Sequence, residues 1–187
     1  MVHTTEVHCL RRVNASPSNS ESDSGYVPLM TLDGMERRTI FRYGDKYEGM
    51  VPVGQDIGAG TFVCGSNTYS GEYKHAEFEG VGVMEFCDGD KYFGEYRGGM
   101  KDGIGAFLTA SGDAYFGQFR RGFKEGMGVI QAATGERELT SWVGGKQTSS
   151  MPFDEANTEH AALLHGAIEA KARAPHSPIP RIAPMFI

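Results

Sequence analysis

The sequence is poor in the residues that build metal centres, disulfide frameworks and membrane spans. Its 187 residues include three cysteines, Cys9, Cys64 and Cys87, far apart and without a Cys-x-x-Cys pair or a histidine at ligand spacing. Neither a zinc site nor a disulfide framework is expected, and the cysteine usage points to a reducing compartment. No run of about 18 apolar residues occurs. The N-terminus shows no apolar signal segment, and Val2 stands where myristoylation requires glycine. The expectation is a soluble cytoplasmic chain, or one that touches membranes only peripherally. Basic residues are also in short supply: 18 Lys and Arg against 24 Asp and Glu give a formal charge of −6. They are scattered, so nucleic acid is not an expected partner.

Catalytic constellations are missing as well. The histidines, His3, His8, His75, His160, His165 and His176, pair with no Ser, Cys or carboxylate at a motif spacing. His160 and His165 are five apart, off the i, i+4 spacing of a helical metal pair. Gly80-Val81-Gly82 and its equivalents lack the Lys-Ser/Thr and the helix of a phosphate loop. No enzymatic activity, cofactor or metal is expected.

What abounds is glycine: 26 residues, 23 of them between Gly44 and Gly145, about twice the usual share. No period of three makes them collagen, and the aromatic residues between them exclude a flexible linker. They belong to a repeat. Tyr47-Glu48-Gly49 returns as Tyr69-Ser70-Gly71-Glu72-Tyr73, Tyr92-Phe93-Gly94-Glu95-Tyr96 and Tyr115-Phe116-Gly117-Gln118-Phe119, at steps of 22, 23 and 23 residues. In phase with it run Gly58-Ala59-Gly60, Gly80-Val81-Gly82, Gly103-Ile104-Gly105 and Gly126-Met127-Gly128. Turn-like Gly44-Asp45, Gly65-Ser66, Gly89-Asp90, Gly112-Asp113 and Gly135-Glu136 separate the runs.

Two short alternating runs per unit, bounded by glycine turns, predict a β-hairpin. The period of two puts Tyr92, Gly94 and Tyr96 on one face, where the glycine leaves room for a ring, and Gly103 and Gly105 are expected to do the same on the next strand. One such hairpin is marginal alone, so neighbouring hairpins must supply the core. The expected fold is all-β, an elongated antiparallel single-sheet solenoid of hairpins, with a C-terminal helix and an extended tail.

The units fall at about 44–66, 67–89, 90–112 and 113–135, with a partial unit at 136–145, inside a repeat domain spanning 30–150. In the partial unit Phe119 maps to Trp142, while Tyr115 and Gly117 map to Glu138 and Thr140, as befits a terminal repeat. Thr39 to Tyr43 predicts a lead-in strand. Residues 1–25 read as a disordered arm, with Ser18, Ser20 and Ser22 as phosphorylation candidates and Cys9, beside Arg11 and Arg12, as a lipidation candidate. Residues 154–174 read as a helix with Asp154 or Thr158 as N-cap. Its apolar stripe either covers an open end or edge of the sheet or docks a partner. Residues 175–187 form a proline-rich tail ending in Met185-Phe186-Ile187. It folds back on the aromatic face, inserts into a partner or stays unordered.

The phased pattern resembles the membrane occupation and recognition nexus, or MORN, repeat. The resemblance covers Gly44 to Gly145. It implies structural roles for Tyr47, Gly49, Gly58, Gly60, Tyr69, Gly71, Tyr73, Gly80, Gly82, Tyr92, Gly94, Tyr96, Gly103, Gly105, Tyr115, Gly117, Phe119, Gly126 and Gly128. It further implies a hairpin solenoid of the kind found in ciliary, flagellar and cytoskeletal scaffolds, in junctional membrane proteins and beside some catalytic domains. One departure concerns lipid binding. The residue ahead of each Gly-x-Gly is Ile57, Glu79, Asp102 or Glu125, where the family is commonly basic, which disfavours anionic phospholipid.

The function expected is therefore that of a non-catalytic scaffold or adaptor that binds protein partners and serves a cytoskeletal, ciliary or axonemal assembly. The alternative is a peripheral module on anionic phospholipid, and a homodimer is compatible with the repeat. Candidate partner contacts are Tyr73, Tyr96, Phe119 and Trp142, which share one slot in successive units, with Leu164 and Ile168 on the helix and Phe186 in the tail.

Overall fold

The fold was analysed in a computed structural model that describes residues 29–30, 35–42, 45–52, 57–75 and 77–173. Expectations for the arm (1–25) and the tail (175–187), Phe186 included, fall outside the described residues.

Among the described residues twelve strands form one antiparallel sheet in strict chain order, each paired with its sequence neighbours. They are β1 (Leu29–Met30), β2 (Met35–Arg42), β3 (Asp45–Pro52), β4 (Ile57–Cys64), β5 (Asn67–Lys74), β6 (Glu77–Glu85), β7 (Lys91–Arg97), β8 (Met100–Leu108), β9 (Ala114–Arg120), β10 (Phe123–Gln131), β11 (Arg137–Val143) and β12 (Lys146–Pro152), followed by one helix, α1 (Thr158–Arg173). The lead-in strand is β2. The partial unit is longer than its sequence signature, because β12 completes a hairpin with β11 past Gly145.

Register aligns the repeat across strands. Gly49 pairs with Gly60, Gly60 with Gly71, Gly71 with Gly82, Gly82 with Gly94, Gly94 with Gly105, Gly105 with Gly117 and Gly117 with Gly128. This row of glycines crosses the sheet and ends where Gly128 meets Thr140. Tyrosine rings lie in the trough it makes. A Cβ on Gly71 would fall 2.5 Å from the Tyr69 hydroxyl oxygen, and one on Gly82 equally close to the same ring. Tyr92 lies likewise over Gly94 and Gly105, and Tyr115 over Gly117 and Gly128. Each hydroxyl donates to the carbonyl three residues on: Tyr69 to Glu72 at 2.8 Å, Tyr92 to Glu95 at 3.1 Å and Tyr115 to Gln118 at 3.2 Å. The rings are thus almost fully buried in a single-layer sheet. Each contributes about 3 kcal/mol by the usual area relation.

In the three units from Tyr69 onward, the first glycine of the Gly-x-Gly pair has another job than the one expected. Gly80, Gly103 and Gly126 sit where strand pairing slips, between Gly71 and Tyr73, Gly94 and Tyr96, and Glu125 and Gly128. Gly103 has a φ of +111°, which a side chain would strain. What lies nearest to them is the side chain after the Tyr-x-Gly, namely Glu72 on Gly80, Glu95 on Gly103 and Gln118 on Gly126. Glu72 Oε1 accepts the Val81 amide at 3.3 Å, and Glu95 Oε2 accepts the Ile104 amide at 3.4 Å.

Both rims of the sheet are stitched from one repeat to the next. On one rim the amides of Cys87, Ala110 and Ala133 donate to Asn67 Oδ1, Asp90 Oδ1 and Asp113 Oδ1, each at 2.9 Å. On the other, the amides of Gly98, Arg121 and Gly144 donate to Glu79, Asp102 and Glu125 at 3.1, 3.3 and 2.7 Å. The acidic residues ahead of Gly-x-Gly therefore hold the next turn.

α1 corrects the expectation for the helix. It packs on a face of the sheet, against β7 to β10, and not on an end or edge. Ala167, fully buried, belongs to one apolar cluster with Ala106, Ala114, Phe116, Val129 and Leu139, with Leu163 and Leu164 packed against it. The reason is that β8 to β10 are apolar at both parities, so the face opposite the tyrosines also needs cover. The helix starts at Thr158, and its N-cap is Asn157, whose Oδ1 accepts the Glu159 amide at 2.9 Å and the His160 amide at 3.4 Å. Asp154 instead receives the Ala156 amide in the preceding turn at 2.9 Å.

Candidate protein-binding surface

The face opposite α1 carries a continuous column of rings. Phe78 stacks on Tyr69 at 3.9 Å and 17°, and Tyr69 meets Tyr96 edge-on at 5.1 Å. The contact passes from Tyr96 to Tyr92 at 5.3 Å, to Phe119 at 4.9 Å, to Tyr115 at 5.3 Å and to Trp142 at 5.8 Å, all edge to face. Such contacts add about 0.5–1.5 kcal/mol each beyond burial, so the column is first of all the core of the repeats.

That role divides the candidate residues. Tyr96 and Phe119 are 3 % and 5 % exposed and fill the column between successive tyrosines. Tyr73 and Trp142 are half-buried, with Trp142 at the column's end. Leu164 faces the sheet beneath α1, while Ile168 is 46 % exposed on the helix. Of the residues sharing the slot, Tyr96, Phe119 and Trp142 lie in one column, with Trp142 at its open end.

At the Trp142 end the column opens into a cleft of about 660 Å³, lined by Phe107, Phe119, Phe123, Ile130 and Trp142 with Lys101 and Lys124 among them. Phe123 is 40 % exposed there. Lys124 holds its ammonium 4.5 Å from the Tyr115 centroid and 4.4 Å from that of Trp142. Burial, and secondarily the charge of Lys101, push its pKa below the ordinary lysine value. Burial pushes the Tyr115 hydroxyl above the ordinary tyrosine value, opposed by its bond to Gln118 and reinforced by Glu125. Trp142 Nε1 donates to Thr140 Oγ1 at 2.8 Å, and Thr140 Oγ1 donates to the Gly128 carbonyl at 2.9 Å, which closes the glycine row with a side chain.

Sequence reading missed the two lysines. The signal was present: Phe78, Lys101 and Lys124 recur at the repeat step of 23, and all three lie over the tyrosine of their own unit. Among the described residues no group of His, Cys, Asp and Glu is arranged to hold a metal ion, and no helix is long and apolar enough to cross a membrane.

The family model for the MORN repeat matches residues 69–91, 92–114 and 115–137. The unit read at 44–66 precedes the matched residues, and its strands continue the same ladder. No curated protein matches the chain.

Proposed function

The chain is a MORN-repeat protein, with three tandem repeats over residues 69–137, and from that premise we propose that it is a scaffold or adaptor subunit of a cytoskeletal, ciliary or flagellar assembly. It works without catalysis, by holding a partner protein on the aromatic face of its sheet. The observation that carries the protein-binding part of this reading is the division of labour between faces; the kind of assembly rests on the resemblance to the repeat family alone. α1 covers the face of β7 to β10 opposite the tyrosines. The tyrosine face ends in an apolar cleft over which no described element packs. A cleft of that size with accessible Trp and Phe side chains suits the anchor residues of a protein partner. Anionic membrane is a poorer match, because the acidic residues ahead of Gly-x-Gly are spent on the rim bonds and no basic stripe replaces them.

The test is retention of the tagged full chain on detergent-extracted axonemes of ciliated cells, compared with a Phe123→Ala, Trp142→Ala double variant that still melts cooperatively. Retention of the parent and loss of the variant are expected. Complete extraction of the parent, or flotation of the parent with phosphatidylserine vesicles, would overturn the reading.

A further inference from the structure

Lys101 and Lys124 replace, in two successive repeats, the aromatic residue that Phe78 supplies in the repeat before them. Phe78 completes its ring stack with Tyr69. At the two later positions the stack receives a cation. Lys101 is 4 % exposed and lies 5.4, 5.5 and 5.3 Å from the centroids of Phe86, Tyr92 and Phe107. Lys124 is clasped between Tyr115 and Trp142. Among the described residues no carboxylate reaches the Lys124 ammonium at ion-pair distance and no acceptor hydrogen-bonds it. The nearby rim carboxylates are held by their turns: Asp90 Oδ1 by the Ala110 amide, Asp113 Oδ1 by the Ala133 amide and Asp113 Oδ2 by the Ser111 hydroxyl. A half-buried ammonium with ring faces as its partners is under-solvated, and a charge-assisted hydrogen bond is the interaction it lacks.

We propose that this cleft recognises an extended partner segment carrying one Asp or Glu side chain between apolar residues, with the carboxylate on Lys124 and the apolar neighbours on Phe123, Trp142 and Ile130. The proposal deepens the protein-binding reading and rests on it. One cation in an apolar cleft matches one carboxylate better than a polyanion. Residues 174–187 contain Arg181 and His176 and no Asp or Glu side chain, so they do not supply the side-chain carboxylate that the proposal calls for.

Trp142 is the sole tryptophan, so its emission reports directly on the cleft. The full chain is titrated with a capped pentapeptide bearing glutamate between leucines, with its glutamine counterpart, and with inorganic phosphate. The glutamate peptide is expected to change Trp142 emission saturably and to bind about tenfold more tightly than the glutamine peptide, the worth of one charge-assisted bond. Lys124→Met should remove that preference while melting cooperatively. Lys91→Met, at an exposed lysine paired with Glu85, should keep it. Equal affinity for the two peptides, or a preference that survives Lys124→Met, would overturn carboxylate recognition and leave the protein-binding reading standing. Phosphate binding as tightly as the glutamate peptide would show a bare anion site instead. No saturable response at millimolar peptide would overturn the cleft as the docking point, whatever the axoneme retention shows.

Discussion

The ring of Tyr92 lies on Gly105 of the next strand so closely that a Cβ there would stand 2.5 Å from the tyrosine oxygen and 2.6 Å from two ring carbons. Gly105→Ala must therefore expel the ring, which is also pinned by its bond to the Glu95 carbonyl. A loss of about 3 kcal/mol is expected, read as a fall in Tm, whereas Glu95→Ala, which removes one 3.4 Å contact to the Ile104 amide, should cost under about 1 kcal/mol. As a control, Gly135→Ala meets nothing within 4 Å and is strained only by its φ of +95°, at about 1–2 kcal/mol. Equal melting temperatures for Gly105→Ala and the control would refute the trough.

Tyr115 titrates above the ordinary tyrosine range because it is buried. A raised pKa in the folded state means that folding favours the neutral phenol. That stability is fully present below the unfolded value of about 10 and is lost as pH climbs past it. Stability should fall more steeply above pH 10 in the parent than in Tyr115→Phe, followed by chemical denaturation alongside phenolate absorbance. At neutral pH the variant should lose about 1 kcal/mol with the bond to Gln118. Identical alkaline profiles would contradict the burial of this hydroxyl.

For Lys124 the sign is the opposite. Its lowered pKa means that the fold disfavours the ammonium, a cost fully present below the depressed value and gone once pH rises through the unfolded value of about 10.4. Lys124→Met should thus melt at neutral pH no lower than the parent, with any gain closing as the solution is made alkaline. A variant less stable by more than about 1 kcal/mol would mean that the contacts with Tyr115 and Trp142 outweigh burial.

Ala167 is fully buried where α1 crosses the sheet, so Ala167→Glu should detach the helix and expose Phe116, Val129 and Leu139. Increased binding of a hydrophobic dye with retained β-sheet circular dichroism is the expected result. Ile168→Ala, on the exposed side, should change neither signal. Loss of the whole sheet in Ala167→Glu would show that the repeats depend on the helix to fold.

Much of the tyrosine face was legible, because Tyr-x-Gly-x-Tyr in a strand leaves only one arrangement of ring and glycine. The 23-residue step carried that arrangement from Tyr69 to Tyr115. Less legible was why glycines come in pairs. Gly105 makes room for a ring and Gly103 turns a bulge, a distinction that needs the strand register. The acidic residues Glu79, Asp102 and Glu125 read as a departure from the repeat until the next turn's amides were seen on them. Phe93, Ile104, Ala106 and Phe116 already signalled that the second face is apolar, yet the sequence expectation for the helix was an open end or edge of the sheet, or a partner. An unpaired strand edge is a recognised liability, but here β12 remains as a wholly exposed outer strand.

By itself the sequence determined the repeat, its phase, the all-β hairpin architecture and which face holds the rings, since these follow from periodicity and from the space a glycine leaves. Tertiary structure alone decided that α1 closes one face, that the column of rings ends in a cleft at Trp142, and that Lys101 and Lys124 extend the aromatic stack as cations. Those outcomes depend on contacts between different strands and between helix and sheet, whose register is set by the pairing of strands and cannot be read from any single run of the chain.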